Sequence, residues 1–438
     1  MRIGKVIFRM IILAATLVLG ACSSFGSQKT PGSTIQGTTS ESTIEGPDAE
    51  DTVQGTDPES IVQETAENTL PPGEKASSMP KITIKMSEIF TIEQATDKQL
   101  RQFPFAFAID SEQVKEPGQK KVFAGFAQHM DSVSVESDQG ARVSYDGGLT
   151  FTEYLTGVPF NNVYQREDKS LISVDFKTSS GEERDGKKVF KTLYFVSTDD
   201  GKTWNKHNGE IAAPPGTLSV YFHRGIIKAE DGALLAPLYG RLANESKSRC
   251  MLAKSTDGGV NWEIISTIAS TDYKLLNNPK FAGFSEATVE RCADGSLLAI
   301  MRLGQLPLHQ CRSTDDGLTW SKPEVLPGQA EEDLLSVDPH LVRISNGVLV
   351  LCYGRPGMKL LVSPDGNGET WTNLTNVFTG EVTSGYPAIV EVSPNKLLLV
   401  GDTGANWAYK LDPFPSPNPF SIWGRFIEIE IEEQETGD

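Results

Sequence analysis

Ser313-Thr314-Asp315-Asp316-Gly317-Leu318-Thr319-Trp320 is one of five similar stretches in the 438-residue chain. In each stretch, the Asp can accept hydrogen bonds from backbone N–H groups just ahead of it, the Gly supplies a positive φ, and the aromatic residue starts the next strand. The copies begin roughly fifty to sixty residues apart, a period typical of propeller blades or solenoid units. We therefore expect one blade per copy. The other four copies are 144–151 (SYDGGLTF), 197–204 (STDDGKTW), 255–262 (STDGGVNW) and 363–371 (SPDGNGETW).

This repeated turn is the Asp-box, and a chain with five copies resembles the sialidase-type, six-bladed β-propeller family over about residues 82–432. The resemblance implies an all-β fold with five Asp-box turns. Between the boxes, apolar strands meet at Asp-Gly or Asn-Gly turns, so helix is expected to be essentially absent. A sixth blade without a box is expected from 388–400 and 420–431, and 82–92 is expected to lend its closing strand. A repeated turn is structural and predicts no activity by itself.

Residues 1–22 carry three basic residues near the start, at Arg2, Lys5 and Arg9. They continue with a short apolar run and end in Leu-Gly-Ala-Cys. This pattern is typical of a secretory signal, and the apolar run is too short to span a bilayer. The ending resembles a bacterial lipoprotein signal, which implies lipidation of Cys22; an ordinary signal peptide is the alternative. Residues 23–78 are rich in Ser, Thr, Gly, Pro and Glu, a composition that predicts a disordered tether. Residues 79–438 are expected to form the propeller. We expect an extracytoplasmic, lipid-anchored protein.

The formal net charge is −18 and no basic cluster stands out. Nucleic acid and anionic membrane surfaces are therefore poor partners, and a glycan is the expected one. We expect a monomer with no metal and no cofactor. Four cysteines are widely scattered without metal-ligand spacing, which favours buried free thiols, although one disulfide is possible in an exported protein. They are Cys250, Cys292, Cys311 and Cys352.

Polar residues flank the two-strand hairpin of each expected blade. Because these strands are antiparallel, the residues before the first strand and after the second lie at one end of the propeller, near its axis, while the Asp-boxes lie at the other end. Arginines, carboxylates and a tyrosine at one mouth suit a carboxylate-bearing sugar, which guanidinium groups bind bidentately. The flanking residues are Arg101, Gln102, His129, Asp131, Asn161, Asn162, Asp175, His223, Arg224, Tyr239, Arg241, Glu286, Arg302, Asp338, His340, Arg355, Tyr386 and Asp402.

Three segments look like catalytic segments of sialidases. The stretch from Phe284 to Arg302 is similar to the one that carries a glutamate beside the nucleophile and a carboxylate-binding arginine, which implies these roles for Glu286 and Arg302. By the same resemblance, 351–356 implies carboxylate binding by Arg355, and 383–386 implies that Tyr386 is the nucleophile. Asp131 is placed like the family's general acid, which protonates the leaving oxygen. Further candidates for substrate binding are Arg224, Arg101, His129 and Arg241.

The chain departs from the family at the first strand, where sialidases carry Arg-Ile-Pro and this chain has Gln102 before Phe103-Pro104. Arg101 lies one residue back, and a one-residue slip turns a side chain to the opposite face of a strand. Arg224 or Arg241 would then complete an arginine triad. Our first hypothesis is an exo-sialidase-type glycoside hydrolase. The alternatives are a non-catalytic glycan-binding propeller and a hydrolase or lyase acting on another polysaccharide.

Plainer explanations of the same residues stay open. Arg302 and Arg355 could be solvated arginines at strand ends, paired with the abundant carboxylates. Tyr386 could be an aromatic residue of the core or the rim. His129 and Asp131 could form a structural hydrogen-bonded pair.

Overall fold

The computed structural model describes residues 80–432 except 115, 131–138, 160, 161, 180, 271–282, 305, 330–335 and 381, and it describes only the backbone of Trp407. The predicted signal and tether, with Cys22, and the predicted acid Asp131 lie outside the described residues. In the described part the regular secondary structure is almost all β-strand, with one 3-10 helix at Asn406–Ala408, so the all-β prediction is confirmed. None of the described helices has the length and apolar character needed to cross a membrane.

The strands of the first half form three antiparallel meanders, numbered here in chain order. Before them, two strands pair with the last strand of the chain: β1 (Lys81–Met86) and β2 (Phe90–Gln94). Meander 1 is β3 (Gln102–Ile109), β4 (Lys121–Ala127), β5 (Gln139–Ser144) and β6 (Glu153–Thr156). Meander 2 is β7 (Val163–Gln165), β8 (Leu171–Val174), β10 (Lys187–Ser197) and β11 (Asn205–Ala213), with β9 (Glu182–Arg184) beside β10. Meander 3 is β12 (Thr217–Phe222), β14 (Leu234–Leu242), β15 (Arg249–Ser255) and β16 (Trp262–Ala269), with β13 (Ile227–Lys228) beside β14.

The second half repeats this arrangement. Meander 4 is β17 (Phe284–Arg291), β18 (Leu297–Leu303), β19 (Leu306–Ser313) and β20 (Glu324–Val325). Meander 5 is β21 (Val337–Arg343), β22 (Leu349–Gly354), β23 (Met358–Ser363) and β24 (Thr372–Phe378). Meander 6 is β25 (Ala388–Ser393), β26 (Lys396–Asp402) and β27 (Ser421–Glu432), completed by β1. The prediction that 82–92 supplies the closing strand is confirmed, since β1 and β2 both pair with β27.

Apolar clusters lie between neighbouring meanders. Phe123 of meander 1 packs with Leu171 of meander 2, and corresponding clusters join each later pair along the chain. A further cluster brings Phe126 of meander 1 together with Val400 of meander 6. Each meander therefore buries its apolar faces against two neighbours, which is the packing of a propeller. The number of six blades stays a prediction that these six meanders favour within the described residues.

The Asp-boxes are the turns that the sequence predicts. Ser313 Oγ donates to Asp315 Oδ1 (2.8 Å) and accepts from the Gly317 N–H (2.9 Å). Asp315 accepts from the backbone N–H and the hydroxyl of Thr319 at 2.8 and 2.6 Å. The same serine and aspartate bonds recur in the boxes that begin at Ser144, Ser197 and Ser255, with Asn261 in place of the threonine in the last of these. The serine hydroxyl thus holds the turn together with the aspartate, a role that the sequence pattern did not reveal.

The four described cysteines are all buried and free. This outcome agrees with the prediction of buried thiols and leaves no disulfide among them.

Candidate active site

Glu286 lies in a β-bulge near the start of β17. The pairing of β17 with β18 shifts register between Ser285 and Thr288, and Glu286 has φ 52°. Register shifts with a positive-φ residue also occur near the starts of β3, at Phe103 (φ 51°), and β21, at Asp338 (φ 49°). A bulge re-aims a side chain, and non-glycine residues in this conformation cluster at functional sites because the surrounding structure must hold them there. No glycine marks the bulges in the sequence, so sequence reasoning missed them.

Tyr386 and Arg302 share one carboxylate oxygen of Glu286. Tyr386 Oη donates to Glu286 Oε1 (2.8 Å), and Arg302 Nη1 donates to the same oxygen (2.8 Å). The backbone N–H of Asp338 donates to the other oxygen, Oε2 (3.0 Å). Arg302 reaches the bulge because its backbone pairs with Ser285 in the ladder. Residues of meanders 4, 5 and 6 therefore meet at one nearly buried carboxylate.

The charges around Glu286 keep it ionised and keep the tyrosine protonated. Burial by itself raises the pKa of Glu286, but Arg302, His223, the Tyr386 hydroxyl and the Asp338 N–H together outweigh burial and lower that pKa to about 2. Burial and the adjacent Glu286 carboxylate raise the pKa of Tyr386 well above its ordinary value. At neutral pH the pair thus carries one negative charge, on Glu286, and the phenol is neutral.

Arg355 follows β22 and binds the backbone of the segment that carries Tyr386. Its Nε and Nη2 atoms donate to the Ser384 carbonyl oxygen at 3.0 and 2.7 Å. Its guanidinium carbon lies 5.6 Å from the centroid of the Tyr386 ring. The Phe103 ring packs edge-on against the same tyrosine, with centroids 5.3 Å apart. Both arginines that the resemblance assigns to the substrate carboxylate, Arg302 and Arg355, therefore lie next to Tyr386.

Asp402, at the end of β26, is fully buried behind this segment. Oδ1 accepts from the Thr383 hydroxyl (2.6 Å) and the Ser384 N–H (2.8 Å), and Oδ2 accepts from the Phe103 N–H (3.0 Å). Burial raises the pKa of Asp402 to about 6, although these hydrogen bonds lower it in part. One side chain thus fixes the segment just before Tyr386 and the backbone of Phe103, whose ring packs against Tyr386.

A second buried carboxylate, Asp338, contacts Arg224 and His223 of meander 3. Arg224 binds it bidentately, with Nε on Oδ1 at 2.8 Å and Nη2 on Oδ2. His223 Nε2 lies 3.3 Å from Oδ1. Arg224 Nη1 lies 3.3 Å from His340 Nδ1, and burial, with Arg224 and His223 nearby, lowers the pKa of His340 well below its ordinary value. Arg224 therefore lies beside the cluster with the fork of its guanidinium on Asp338, and its role in substrate binding stays a prediction.

Gln102 and Arg101 take different directions. Gln102 Nε2 donates to the His129 carbonyl oxygen (2.8 Å) and to Asn406 Oδ1 (3.0 Å), and Gln102 Oε1 accepts from the Asn406 N–H (2.9 Å). Arg101 is buried and donates to Glu93 Oε1 through Nε and Nη2 at 3.3 and 3.2 Å, while its guanidinium lies over the Phe126 ring. These contacts do not bring Arg101 to the Glu286 cluster, because Arg101 is one residue out of step with Gln102.

His129 and Arg241 are not brought to Glu286 either. The ring of His129 lies beside the Met130 carbonyl oxygen, with Nδ1 at 2.8 Å. Arg241 pairs with Ser219 in the β12–β14 ladder and has no ion pair with any residue that the structure describes. Among all the residues that the structure describes, no three His, Cys, Asp or Glu side chains are grouped to hold a metal ion. The predicted roles of His129, Arg241 and Asp131 stay predictions.

A family model described as the BNR repeat-like domain matches residues 161–398, which is more than half of the chain. This chain belongs to the BNR repeat-like domain family. No curated protein matches it.

Solved structures give the BNR repeat-like chain a sialidase-like propeller fold, as the Asp-boxes predict. One is a protein of unknown function from Dyadobacter fermentans, with TM-score 0.58 and 19% identity over 79% of this chain and 99% of that chain. Another is the NanB sialidase of Streptococcus pneumoniae, with TM-score 0.54 and 13% identity over 79% and 70% of the two chains. A third is an alpha-L-arabinanase of Penicillium chrysogenum, with TM-score 0.52 and 14% identity over 78% and 98%. The fold is thus one that glycoside hydrolases use.

Proposed function

We propose that this chain is a glycoside hydrolase of the sialidase type, which removes a terminal acidic sugar with retention of configuration. The observation that supports this most is the hydrogen bond from Tyr386 Oη to Glu286 Oε1, at 2.8 Å, on a carboxylate that also pairs with Arg302. A phenol bound to an ionised acid is a nucleophile with its proton acceptor already in place. Sialidases replace the usual carboxylate nucleophile with a tyrosine.

In the proposed reaction Tyr386 Oη attacks the anomeric carbon while its proton passes to Glu286 Oε1. The low pKa of Glu286, about 2, and the raised pKa of Tyr386 keep the proton on the phenol until the new C–O bond forms. Asp131 would protonate the departing oxygen and then activate the water that hydrolyses the tyrosyl-sugar intermediate. Two displacements at one carbon retain its configuration. A neutral phenol also avoids repulsion with an anionic sugar.

Arg302 and Arg355 would bind the sugar carboxylate. Both guanidinium groups lie beside Tyr386, and a guanidinium binds a carboxylate with charge-assisted hydrogen bonds. Arg355 is held by two bonds to the Ser384 carbonyl, an oxygen that carries no full charge. An incoming carboxylate therefore meets a guanidinium already oriented by the backbone.

The proposed reaction is tested with a fluorogenic sialoside and the purified domain 79–438. Tyr386→Phe is expected to lower kcat at least about 10³-fold, because it removes the nucleophile. Arg302→Ala is expected to lower kcat/KM about 10²-fold. Tyr194→Phe, on a tyrosine stacked on His207 in meander 2, is the matched control and is expected to retain activity. Turnover that survives both Tyr386→Phe and Arg302→Ala would rule the mechanism out.

A non-catalytic glycan-binding propeller is a distinct outcome of the same test. It would give no turnover with any variant, together with saturable binding of free sialic acid that Arg355→Ala abolishes.

One observation favours a second candidate, a hydrolase acting on a neutral polysaccharide. At the position where sialidases carry their first arginine, Gln102 is buried and its amide is bound to Asn406 and His129. The fold is also similar to that of an arabinanase. This candidate predicts turnover of arabino-oligosaccharides but not of sialosides, with little effect of Arg355→Ala.

We also propose that Cys22 carries a lipid anchor and that 23–78 tethers the propeller outside the cytoplasm. Metabolic labelling with a radioactive fatty acid tests this: the full chain should be labelled in the membrane fraction, and Cys22→Ala should lose both the label and the membrane association.

A further inference from the structure

His223 is a buried histidine that the proposed reaction does not use. It follows β12 within the stretch Tyr221-Phe222-His223-Arg224, and only 5% of it is exposed. Its ring packs against Tyr239, with centroids 6.2 Å apart. Packing alone would make His223 a residue of the core, so any further role must be argued from its polar contacts.

Both ring nitrogens of His223 face oxygen atoms that only accept. Nδ1 lies 3.2 Å from the Ala287 carbonyl oxygen, and Nε2 lies 3.3 Å from Asp338 Oδ1. A neutral imidazole has one donor nitrogen and one acceptor nitrogen, so it satisfies one of these oxygens and opposes the other. The imidazolium form donates at both nitrogens. The hydrogen-bonding geometry therefore suits the charged form.

The two groups that His223 contacts are the ones that hold Glu286. Ala287 follows Glu286 in the chain, and Asp338 donates its N–H to Glu286 Oε2 at 3.0 Å. Glu286 and Asp338 both have left-handed backbones, with φ 52° and 49°. Such residues stay in place only where neighbouring contacts fix them. His223 joins the two bulges from a third meander.

We propose that His223, as an imidazolium, is a positioning residue that holds Glu286 against Tyr386 by joining the Ala287 carbonyl to the Asp338 carboxylate. This proposal rests on the proposed function for its kinetic consequences, but its structural part does not. The ionisable groups around His223 are the carboxylates of Asp338 and Glu286, the Arg224 guanidinium bound to the same Asp338, the neutral His340 and the Tyr239 phenol. An imidazolium at this position lowers the pKa of Glu286, together with Arg302 and the hydrogen bonds.

Nitrogen-15 NMR of histidine-labelled domain 79–438 reads the protonation of His223 directly, with His223→Gln used for assignment. Between pH 5 and 7 both ring nitrogens are expected to show imidazolium shifts. Carboxyl carbon-13 NMR of Glu286 gives the second readout. His223→Phe is expected to move the titration of Glu286 to higher pH by at least one unit, and His223→Gln, which keeps donors but no charge, by less. A neutral His223 throughout, or a Glu286 titration that no His223 variant moves, overturns the proposal.

Kinetics then separate this proposal from the proposed function. His223→Phe is expected to lower kcat at least about 30-fold with less than a threefold change in KM, because the base is displaced while Arg302 and Arg355 remain. The kcat of the unmodified domain should fall with pH at the midpoint where the imidazolium signal is lost. His309→Gln, at another buried histidine, beside Phe284, is the matched control and should leave kcat and the Glu286 titration unchanged. If the unmodified domain turns over no glycoside, the proposed hydrolase activity is ruled out. The two NMR readouts still decide the role of His223 in that case.

Discussion

Glu286 shows how much one side chain depends on distant parts of the chain. Its oxygens are bound by Arg302 on the neighbouring strand and by Asp338 and Tyr386, which lie 52 and 100 residues further along the chain. Burial alone would favour the neutral acid, and the hydrogen bonds and charges outweigh it. The ionised form is the one that can accept the phenolic proton.

Replacement of Glu286 by glutamine keeps the shape of the side chain but removes the proton acceptor. We expect Glu286→Gln to lower kcat about 10²- to 10⁴-fold, the usual contribution of a general base. Glu290→Gln is the control, because Glu290 is a half-buried acid on the same strand, with its pKa raised by desolvation to about 7, and it accepts from the Arg291 N–H at 2.8 Å. Steady-state kinetics on a sialoside measure both. Equal losses in the two variants would mean that Glu286 acts through folding alone.

Buried carboxyls of opposite character give the stability a defined pH dependence. Burial raises the pKa of Asp402 from 3.8 to about 6. The protonated acid therefore contributes its full stabilisation below pH 3.8, and this stabilisation is lost as the pH rises through about 6. Glu286 has the opposite sign, because its pKa falls from 4.5 to about 2. Its stabilisation is therefore present above the first of these values and is lost as the pH falls to the second. We expect the urea midpoint of domain 79–438 to be highest near pH 4 to 5.

Asp402→Asn tests the upper part of that pH profile. Removing the carboxyl should flatten the decline between pH 4 and 6 in urea unfolding followed by tryptophan fluorescence. The amide NH2 also replaces one of the two oxygens, which accept from the backbone N–H groups of Ser384 and Phe103, so it places a donor against one of these N–H groups. The midpoint should therefore be lower than that of the unmodified domain at pH 4. An unchanged slope would contradict the raised pKa.

At the scale of single elements, the Asp-box turn combines a local bond pattern with packing between meanders. Gly317 has φ 89°, and a Cβ atom there would lie 2.2 Å from Leu252 Cδ2 in meander 3. The glycine is thus required twice, by the backbone conformation of the turn and by the neighbouring core. Gly295 lies in the β17–β18 hairpin of meander 4, to which Gly317 also belongs. It has φ 88°, and a Cβ atom added to it would meet no other described residue within 4 Å.

These two glycines separate backbone strain from overpacking. Gly295→Ala is expected to lower the free energy of unfolding by about 1 kcal/mol, from the left-handed conformation alone. Gly317→Ala is expected to lower it by about 2 to 4 kcal/mol, because overpacking adds about 1 to 3 kcal/mol. Urea unfolding of both variants measures the difference. Equal losses would mean that Leu252 moves aside at little cost.

At the scale of the whole molecule, closure depends on strands from the two ends of the described chain. β1 pairs with β27 over six residues, from Lys81 opposite Glu432 to Met86 opposite Ile427. Ile82 belongs to the core between meanders 5 and 6, together with Ile427 and Ile429. A chain that begins at residue 87 would keep the pairing of β2 with β27 but leave the edge of β27 from Ile427 to Glu432 unpaired and expose those isoleucines.

We expect a chain that begins at residue 87 to unfold at a clearly lower urea concentration than one that begins at residue 80. Loss of the buried Ile82 alone amounts to about 2 to 5 kcal/mol on the scale of large-to-small core substitutions. The chain that begins at residue 80 is the control for truncation itself. Equal midpoints would show that β1 is dispensable for closure.

The repeat could be predicted from the sequence because short motifs recur at regular spacing, and the placement of Glu286 beside Tyr386 came from the resemblance of their segments to those of sialidases. The bond between Arg302 and Glu286 was not predicted, because Arg302 was assigned to the substrate carboxylate. The sequence could not predict that the fork of Arg224 holds Asp338, since this pair joins residues 114 positions apart and no local pattern encodes it. The bulges at the starts of β3, β17 and β21 were missed for a related reason. They arise from the register between strands, and neither Phe103 nor Glu286 is of a residue type that favours a positive φ.

The pairing of Lys81 with Glu432 places the start of β1 beside the end of β27. Chain order and ring order are therefore separable: a short loop could connect these two ends, and new termini could be opened at an exposed turn between two other meanders. Such a circularly permuted protein would keep every strand neighbour and every side chain around Glu286. The junction of β1 with β27, which is held only by strand pairing, would then also be joined covalently. The non-covalent closure of the ring would move to the turn where the new termini are opened.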